Sequence, residues 1–452
     1  MSDKLILGAP AADKNSGVPD LYCPSILWEN MFSSFWNNIH FKKQQHLSEQ
    51  SLLLYFKFTF DTNNWKLYGS YNSHGSAPYP YMSRKFKDLS RNRGIISYFH
   101  HPLKDIYFKA AAGLMTCLKA LDFFHTNLFN PLQALPTMKL LFLYLNNRFG
   151  TETVFHSWAA DVKEMYDWLP QSDILKAVKW VLSYISKRYR RTFVAVFFKE
   201  TRCSRIGKSY QSDESVNIPL EEIFRICEFE VTNAYFVLNK TVFLQLLGCP
   251  QGGPGSPGCS MVVCIYYEHQ FRCSIYDHLA FMFFFRYFDD LRAVVAHRSS
   301  DITTKNLVFS LLNKLQNQTY HPSMSLVLEE CSQNTFKFLE GKFTIQNDSL
   351  SCIWTSKNFE SLQEHGKRKF YTSQNYFSYT GEKKKIIRKA SIMGRLSTLL
   401  GYCFTDEDLL KSFGFLLVDL FSRHFPKKVV EYLYYPNTHH TYAYTHNYSI
   451  YT

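Results

Sequence analysis

Three carboxylates stand out by their surroundings. Asp289 and Asp290 are adjacent within Arg286-Tyr287-Phe288-Asp289-Asp290-Leu291, with Phe283-Phe284-Phe285 before them and Ala293-Val294-Val295 after. Two carboxylates between apolar runs are costly to bury unless a cation neutralises them. A bare Asp-Asp pair is usually a solvated turn, but a solvated turn does not need apolar runs on both sides. Neighbours on a strand point to opposite faces, whereas at a hairpin tip both can approach one site. Phosphoryl transfer uses metal pairs about 3.5–4 Å apart to activate a hydroxyl and stabilise a leaving oxygen. Such metals are hard cations that prefer carboxylate oxygens, so two Mg²⁺ ions are expected, with Mn²⁺ as a substitute. A metal pair needs a third carboxylate. Asp161 is the candidate, because it ends the apolar stretch Trp158-Ala159-Ala160 and opens Val162-Lys163-Glu164. Taken alone it reads as a helix cap or turn residue.

A second element is the loop Gly248-Cys249-Pro250-Gln251-Gly252-Gly253-Pro254-Gly255-Ser256-Pro257-Gly258. Its glycines permit close backbone approach to a ligand. The helix expected from about Ser256–Met261 onward would point a favourable N-terminus at negative charge. Apolar residues on both flanks favour a loop pinned in a cleft over a free surface loop.

These pieces need a scaffold, and the chain is long enough to supply one. Its 452 residues are 46% apolar and 17% aromatic, which excludes wholesale disorder. The net charge of +13 favours a polyanionic partner, nucleic acid or an anionic membrane surface. Eleven cysteines without a C-x-x-C pair read as reduced thiols of an intracellular protein. No secretory signal and no stretch of 18 apolar residues is found, so no membrane span is expected.

Periodicity predicts a strand at Gly94–Tyr98 and helices across 103–148 that Pro131 and Pro136 interrupt. It predicts a strand at Val154–Val162, then a helix over Ser172–Ser186 capped by Ser172. Residues 200–216 read as a polar insertion loop. Tyr235–Leu247 reads as a hairpin turning at Asn239-Lys240, and Phe281–Val295 as another around the two aspartates. Strands follow at Thr335–Ile345 and Ser349–Trp354, with helix from 383 onward and a capping box at Thr405 and Asp408. No internal repeat is present.

The order of these elements resembles motifs A, B and C of reverse transcriptases: an Asp-bearing strand and turn, a Gln-Gly-x-Pro-x-Ser-Pro loop, then Tyr-Phe-Asp-Asp. It is most similar to the Penelope-like element reverse transcriptases. The matching residues are Asp161-Val162-Lys163 with Tyr166 and Pro170, Asn233 to Asn239 with Gln245 and Gly248, the loop Gly252 to Pro257, and Arg286 to Asp290. Phe338-Leu339-Glu340 resembles the family's Phe-Leu-Asp segment, with Glu in place of Asp. Arg93-Gly94-Ile95-Ile96-Ser97 resembles its Arg-Pro-Ile segment, with Gly in place of Pro. The resemblance covers about residues 80–400. No segment resembling the GIY-YIG nuclease of many such elements is found, so any such nuclease is expected to be absent or supplied in trans.

The resemblance implies an α+β right-hand polymerase, with fingers, an antiparallel palm sheet and a helical thumb. Its expected parts are an N-terminal extension (1–80), fingers and palm (81–345), a thumb-like helical region (346–425) and a C-terminal tail (426–452). It implies RNA-directed DNA polymerase activity in a protein of retroelement origin, working in the nucleus on an RNA template, a DNA primer and dNTPs. Asp161 and Asp289 would bind both metals with Asp290 assisting, and the Val162 carbonyl would complete one shell. Tyr166 would lie beneath the incoming sugar and exclude a 2′-hydroxyl; a plain core aromatic is the other reading. Gln251 and Gly252 would line the nucleotide pocket. Arg93 with Lys85 or Lys87 would bind the triphosphate. Tyr287 and Phe288 would support the catalytic hairpin. The runs Lys187-Arg188-Tyr189-Arg190-Arg191 and Lys383-Lys384-Lys385 would track a nucleic-acid backbone or form solvated faces. Two rivals stay open: an RNA-dependent RNA polymerase, and an inactive nucleic-acid-binding protein on a polymerase fold.

Overall fold

The computed structural model describes residues 23–425 apart from 86–87, 122–125, 131–132, 164, 167, 199–203, 208–213, 330, 332–333, 340, 347–348, 356–384 and 423–424. Its elements in chain order begin with α1 (Pro24–Met31), β1 (Phe41–Lys43), α2 (Glu49–Thr62), β2 (Tyr79–Lys85), β3 (Asp88–Ser97), α3 (Lys104–Lys119) and α4 (Ala134–Phe149). Then come β4 (Thr153–Val162), α5 (Gln171–Tyr189), β5 (Phe193–Phe197), β6 (Arg205–Ile206), β7 (Ser215–Pro219), α6 (Leu220–Thr232), β8 (Tyr235–Leu238) and β9 (Thr241–Gln245). The last are α7 (Ser256–Ser274), β10 (Met282–Tyr287), β11 (Asp290–Arg298), α8 (Ile302–Gln318), β12 (Leu326–Leu328), β13 (Thr335–Phe338), β14 (Gly341–Gln346), β15 (Ser349–Trp354), α9 (Lys385–Tyr402) and α10 (Asp406–Ser422). This is an α+β architecture in which every strand-to-strand pairing among the named strands is antiparallel.

The chain divides into two compact units. One is formed chiefly by residues 17–131 and 152–330, the other by 132–151 and 331–452. At the centre of the first unit is a four-stranded sheet in the order β10-β11-β4-β12. Alternation sorts its residues. Trp158, Ala160, Leu291, Ala293 and Val295 share a core with Val308, Leu311 and Leu315 of α8 and with Phe271 at the end of α7. Each fully buried Leu contributes on the order of 1.5–3 kcal/mol. The opposite face therefore carries Asp161, Asp290 and Arg292. Helix α8 is set in place by Asp301, whose carboxylate accepts from the Thr303 and Thr304 amides at 2.9 and 3.1 Å.

A larger core in the same unit joins α3, α5, α6 and α7, and takes in Leu52, Phe56, Phe60 and Trp65 from the N-terminal stretch. The stripe of α5 expected from periodicity is buried throughout, at Ile174, Ala177, Val178, Val181, Leu182 and Ile185. Ser172 does not cap this helix. Its first turn starts at Gln171, and the Pro170 carbonyl accepts from the Asp173 and Ile174 amides. The hairpin of β8 and β9 turns at Asn239 and Lys240, both left-handed at φ 48° and 64°, which matches the twist of a tight hairpin.

Three further expectations are corrected. Pro136 does not break a helix but lies in the first turn of α4, where the lost amide needs no partner; Pro131 lies outside the described residues. Residues 200–216 are not wholly loop, because Arg205–Ile206 and the start of β7 at Ser215 satisfy the two edges of β5. Thr335–Ile345 is a hairpin of β13 and β14 rather than one strand, with Leu339 left-handed between them at φ 56°.

In the second unit β13, β14 and β15 form a sheet. Leu399 of α9, Leu416 and Leu420 of α10 and Trp354 of β15 form its core. Thr405 caps α10 by accepting from the Asp408 amide at 3.1 Å. The Asp408 carboxylate does not complete the box. It accepts instead from Ser351 Oγ at 2.6 Å and the Cys352 amide at 3.2 Å, tying α10 to β15.

Candidate active site

The three carboxylate residues lie at one end of the central sheet. Asp161, the penultimate residue of β4, lies directly across from Asp290, the first residue of β11. Tyr287 pairs with Asp290, so Phe288 and Asp289 form a two-residue hairpin turn. Phe288 takes the left-handed conformation at φ 53°, rare for a bulky residue and found where a turn is held by its surroundings. The Val162 amide donates to the Asp289 carbonyl at 2.8 Å, which stitches the turn to the end of β4. Tyr287 and Phe288 rings meet edge to face at 4.9 Å, and Phe288 packs on the main core.

Cations already attend these acids. Lys163 pairs with Asp161. Arg292, nearly buried and two residues beyond Asp290 on the same face, lies 3.6 Å from Asp290 and 2.6 Å from Glu329. It also donates to the carbonyls of Ala160 and Leu291, so it is anchored within the sheet. Burial pushes the Asp290 carboxyl up to about 6; Arg292 draws it down, while Asp289, Glu329 and Asp161 push it further up. The shift comes first from burial, with the three neighbouring carboxylates adding to it. Among the described residues no three His, Cys, Asp or Glu side chains stand arranged to hold a metal; Asp161 is turned to Lys163 and Asp290 toward Arg292. The donor atoms are all carboxylate oxygens, the type that Mg²⁺ takes; to hold such an ion Asp161 would have to part from Lys163.

The glycine-rich loop is laced to three other elements. The Gly248 and Cys249 amides donate to the carbonyls of Leu169 and Tyr166 at 2.7 and 2.8 Å, binding it to the segment after Asp161. The Ile96 amide of β3 donates to the Gln251 carbonyl at 2.8 Å. Gly252 has φ 115°, and a Cβ there would stand 2.3 Å from the Ile96 carbonyl oxygen, so only glycine lets the loop dock. On the other side the Gly255 amide donates to Glu230 of α6 at 2.9 Å, and a Cβ on Gly255 would strike that carboxylate at 2.2 Å.

Tyr166 lies partly buried between the carboxylates and β3. Burial raises its hydroxyl to about 12, Asp289, Cys249 and Cys264 add to this, and Arg93 opposes it. Arg93 is exposed on β3 opposite Ser83. Its neighbour Gly94 leaves room for Phe35, whose ring would meet a Cβ at 2.6 Å. Lys85 ends β2, and Lys87 lies outside the described residues. Thus Asp161, Val162, Asp289, Asp290, Tyr166, Gln251, Gly252 and Arg93 belong to one unit and connect through the contacts above.

Sequence reasoning missed Arg292, Glu329 and Glu230. Arg292 was accessible through strand alternation, being two residues from Asp290. Nothing local marks Glu230 or Glu329, because their partners are distant in the chain. Burial pushes the fully buried Glu230 up to about 8, with Cys259 adding to the shift and the Gly255 amide opposing it.

No protein-family model matches this sequence, and no curated protein matches it. Among solved structures the chain is similar to telomerase from Candida albicans in complex with the TWJ fragment of telomeric RNA, at 14% identity and TM-score 0.46, covering 88% of this chain and 69% of that one. It is similar to apo telomerase from Candida tropicalis at 14% identity and TM-score 0.47, covering 87% and 66%. It is also similar to the BmCPV RNA-dependent RNA polymerase at quiescent state, at 11% identity and TM-score 0.35, covering 72% and 26%.

Among the described residues no helix is long and apolar enough to cross a membrane.

Proposed function

We propose that this chain is a template-directed nucleic-acid polymerase of the reverse-transcriptase type, adding dNTPs to a DNA primer on an RNA template. The observation that carries the reading is the pairing of Asp161 with Asp290 across β4 and β11, with Asp289 in the adjoining turn. Two acids at a hairpin mouth facing a third on the next strand suit a site for phosphoryl transfer. Asp161 and Asp289, with Asp290 and the Val162 carbonyl, would hold two Mg²⁺ ions. When bound, such ions activate a primer 3′-hydroxyl and neutralise the leaving pyrophosphate.

The chain's own residues do the positioning. Lys163 must leave Asp161, and its freed ammonium is then available to phosphate. Arg292 stays anchored to Glu329 and keeps Asp290 oriented. Tyr166 forms the floor for the sugar, and the Gln251-Gly252 backbone, fixed to Ile96, shapes the pocket for the base. Arg93, with Lys85 or Lys87, binds the triphosphate. The net charge of +13 suits an RNA–DNA duplex. A Penelope-like retroelement origin and a nuclear place of action belong to the same proposal and rest on the sequence motifs.

The test is primer extension by the purified protein with Mg²⁺, on RNA and DNA templates, supplied with dNTPs or NTPs. DNA synthesis on RNA is expected. Incorporation of NTPs instead would make it an RNA polymerase; tight nucleic-acid binding with no extension would make it a binding protein.

A further inference from the structure

The turn that carries Asp289 is gripped from beneath by a buried ion pair. Arg286, the penultimate residue of β10, is fully buried, and Glu268 on α7 is 1% exposed. The guanidinium engages Glu268 through Nε, with Nη2 3.4 Å from the second carboxylate oxygen. Its remaining arm, Nη1, donates to the Phe288 carbonyl at 2.7 Å. That carbonyl belongs to the peptide joining Phe288 to Asp289. The next carbonyl, that of Asp289, accepts from the Val162 amide. Both peptide planes flanking the Asp289 Cα are therefore held, one by Arg286 and one by β4, which fixes where the carboxylate emerges.

Glu268 is in turn saturated. Besides Arg286 it accepts from Tyr320 Oη at 2.6 Å and from Thr126 Oγ1. The segment at Thr126 is fastened to the same arginine: the Arg286 amide donates to the Thr126 carbonyl at 2.8 Å, and the Leu128 amide to the Arg286 carbonyl at 2.7 Å. Burial disfavours charge on Arg286, but Glu268 beside it pushes its pKa above the usual range, so the guanidinium stays charged. Helix α7 begins in the glycine-rich loop at Ser256 and carries Glu268 in its fourth turn. One rigid helix thus links the loop to the catalytic turn.

We propose that Glu268 and Arg286 are positioning residues for Asp289: the carboxylate on α7 orients the guanidinium, and the guanidinium sets the Phe288–Asp289 peptide in its left-handed turn. The assignment rests on the polymerase reading for the role of Asp289, but the grip itself does not. A buried ion pair could instead serve folding alone, and the two roles separate experimentally. Lysine at 286 supplies a counter-charge to Glu268 but has a single ammonium head and cannot also reach the Phe288 carbonyl.

The decisive variant is Arg286→Lys, compared with the parent by thermal melting, by Mn²⁺ binding followed through the electron paramagnetic resonance of free Mn²⁺, by template–primer affinity and by Mg²⁺-dependent extension. Expected is a folded protein with parent-like nucleic-acid affinity, and Mn²⁺ affinity lowered by about tenfold or more, the usual consequence of losing a group that orients a metal ligand. Extension should fall at least as far. A folded Arg286→Lys protein that binds Mn²⁺ and extends like the parent overturns the proposal. Should Arg286→Lys fail to fold, the double variant Glu268→Met with Arg286→Met carries no buried charge; weakened Mn²⁺ binding in it supports the grip, and parent-like binding overturns it. A parent that binds Mn²⁺ but never extends a primer sinks the polymerase reading and leaves the positioning test intact, because Mn²⁺ binding is read without activity.

Discussion

Asp290 faces Asp161 across adjacent antiparallel strands, and each has a cation beside it: Arg292 for the first, Lys163 for the second. The two cations differ in kind. Arg292 is 3% exposed at its side chain and bonded to two carbonyls, whereas Lys163 is 41% exposed and tethered only two residues from its partner. A bound divalent ion can displace a mobile surface ammonium far more readily than a buried guanidinium. In the proposed metal site Asp290 would thus be the fixed half, and Asp161 the half that has to part from Lys163.

Removing charge at Asp289 tests the assignment directly. Asp289→Asn keeps the shape of the turn, so thermal stability and template–primer affinity should stay near the parent's. Mg²⁺-dependent extension should fall by several orders of magnitude. Extension near the parent rate would show that this carboxylate does not serve the chemistry.

The pH dependence of metal use follows from Asp290. Its carboxyl is held up to about 6 by burial and by the neighbouring acids, so below that pH a metal must displace a proton. The Mg²⁺ concentration for half-maximal extension should be flat above pH 6 and rise by about tenfold per pH unit below it. A half-saturation independent of pH between 5 and 7.5 would remove Asp290 from the metal site.

Much of this site was legible from local pattern. Asp289 and Asp290 announce themselves because apolar runs flank them, Asp161 because it ends a strand, and the loop because its glycines cluster between apolar segments. Alternation along β11 also predicts that Asp290 and Arg292 share a face. What stayed hidden depends on contacts between residues distant in the chain. Arg286 and Glu268 are joined only because a strand end crosses helix α7. The left-handed turn at Phe288 contradicts its residue type and persists because Arg286 holds it. Leu339 similarly splits an apparent single strand into a hairpin; Gly341 closes that turn, but the left-handed residue itself is a leucine.

Glu230 should make the protein less stable as pH rises. Its carboxyl is raised from 4.5 to about 8 in the folded state, so the unfolded chain releases this proton first. Stability from this group is complete below pH 4.5, declines as pH rises, and is lost by about pH 8. Glu230→Gln keeps an acceptor for the Gly255 amide but cannot ionise. Its melting temperature should exceed the parent's at pH 8 by an amount equivalent to a few kcal/mol, and match it near pH 5. Parallel melting curves across that range would mean that Glu230 ionises freely beneath the loop.

Tyr166 tests sugar choice. Its carbonyl accepts from the Cys249 amide, and its hydroxyl is raised by burial and by Asp289 and lowered by Arg93. The backbone bond ties the residue to the glycine-rich loop, independent of its side chain. Trimming the ring to Tyr166→Val therefore should leave the loop docked while opening the space a 2′-hydroxyl would need. A steric clash of this kind is worth on the order of a few kcal/mol, at about 1.36 kcal/mol per tenfold in rate. The dNTP rate should also drop if the ring supports the sugar as proposed. The informative quantity is the ratio of kcat/KM for a dNTP to that for the matching NTP. A fall in that ratio by about 10²-fold is expected from the lost clash. If Tyr166 merely packs against the core, both rates decline together, and an unchanged ratio in a folded Tyr166→Val protein would return the RNA polymerase reading to contention.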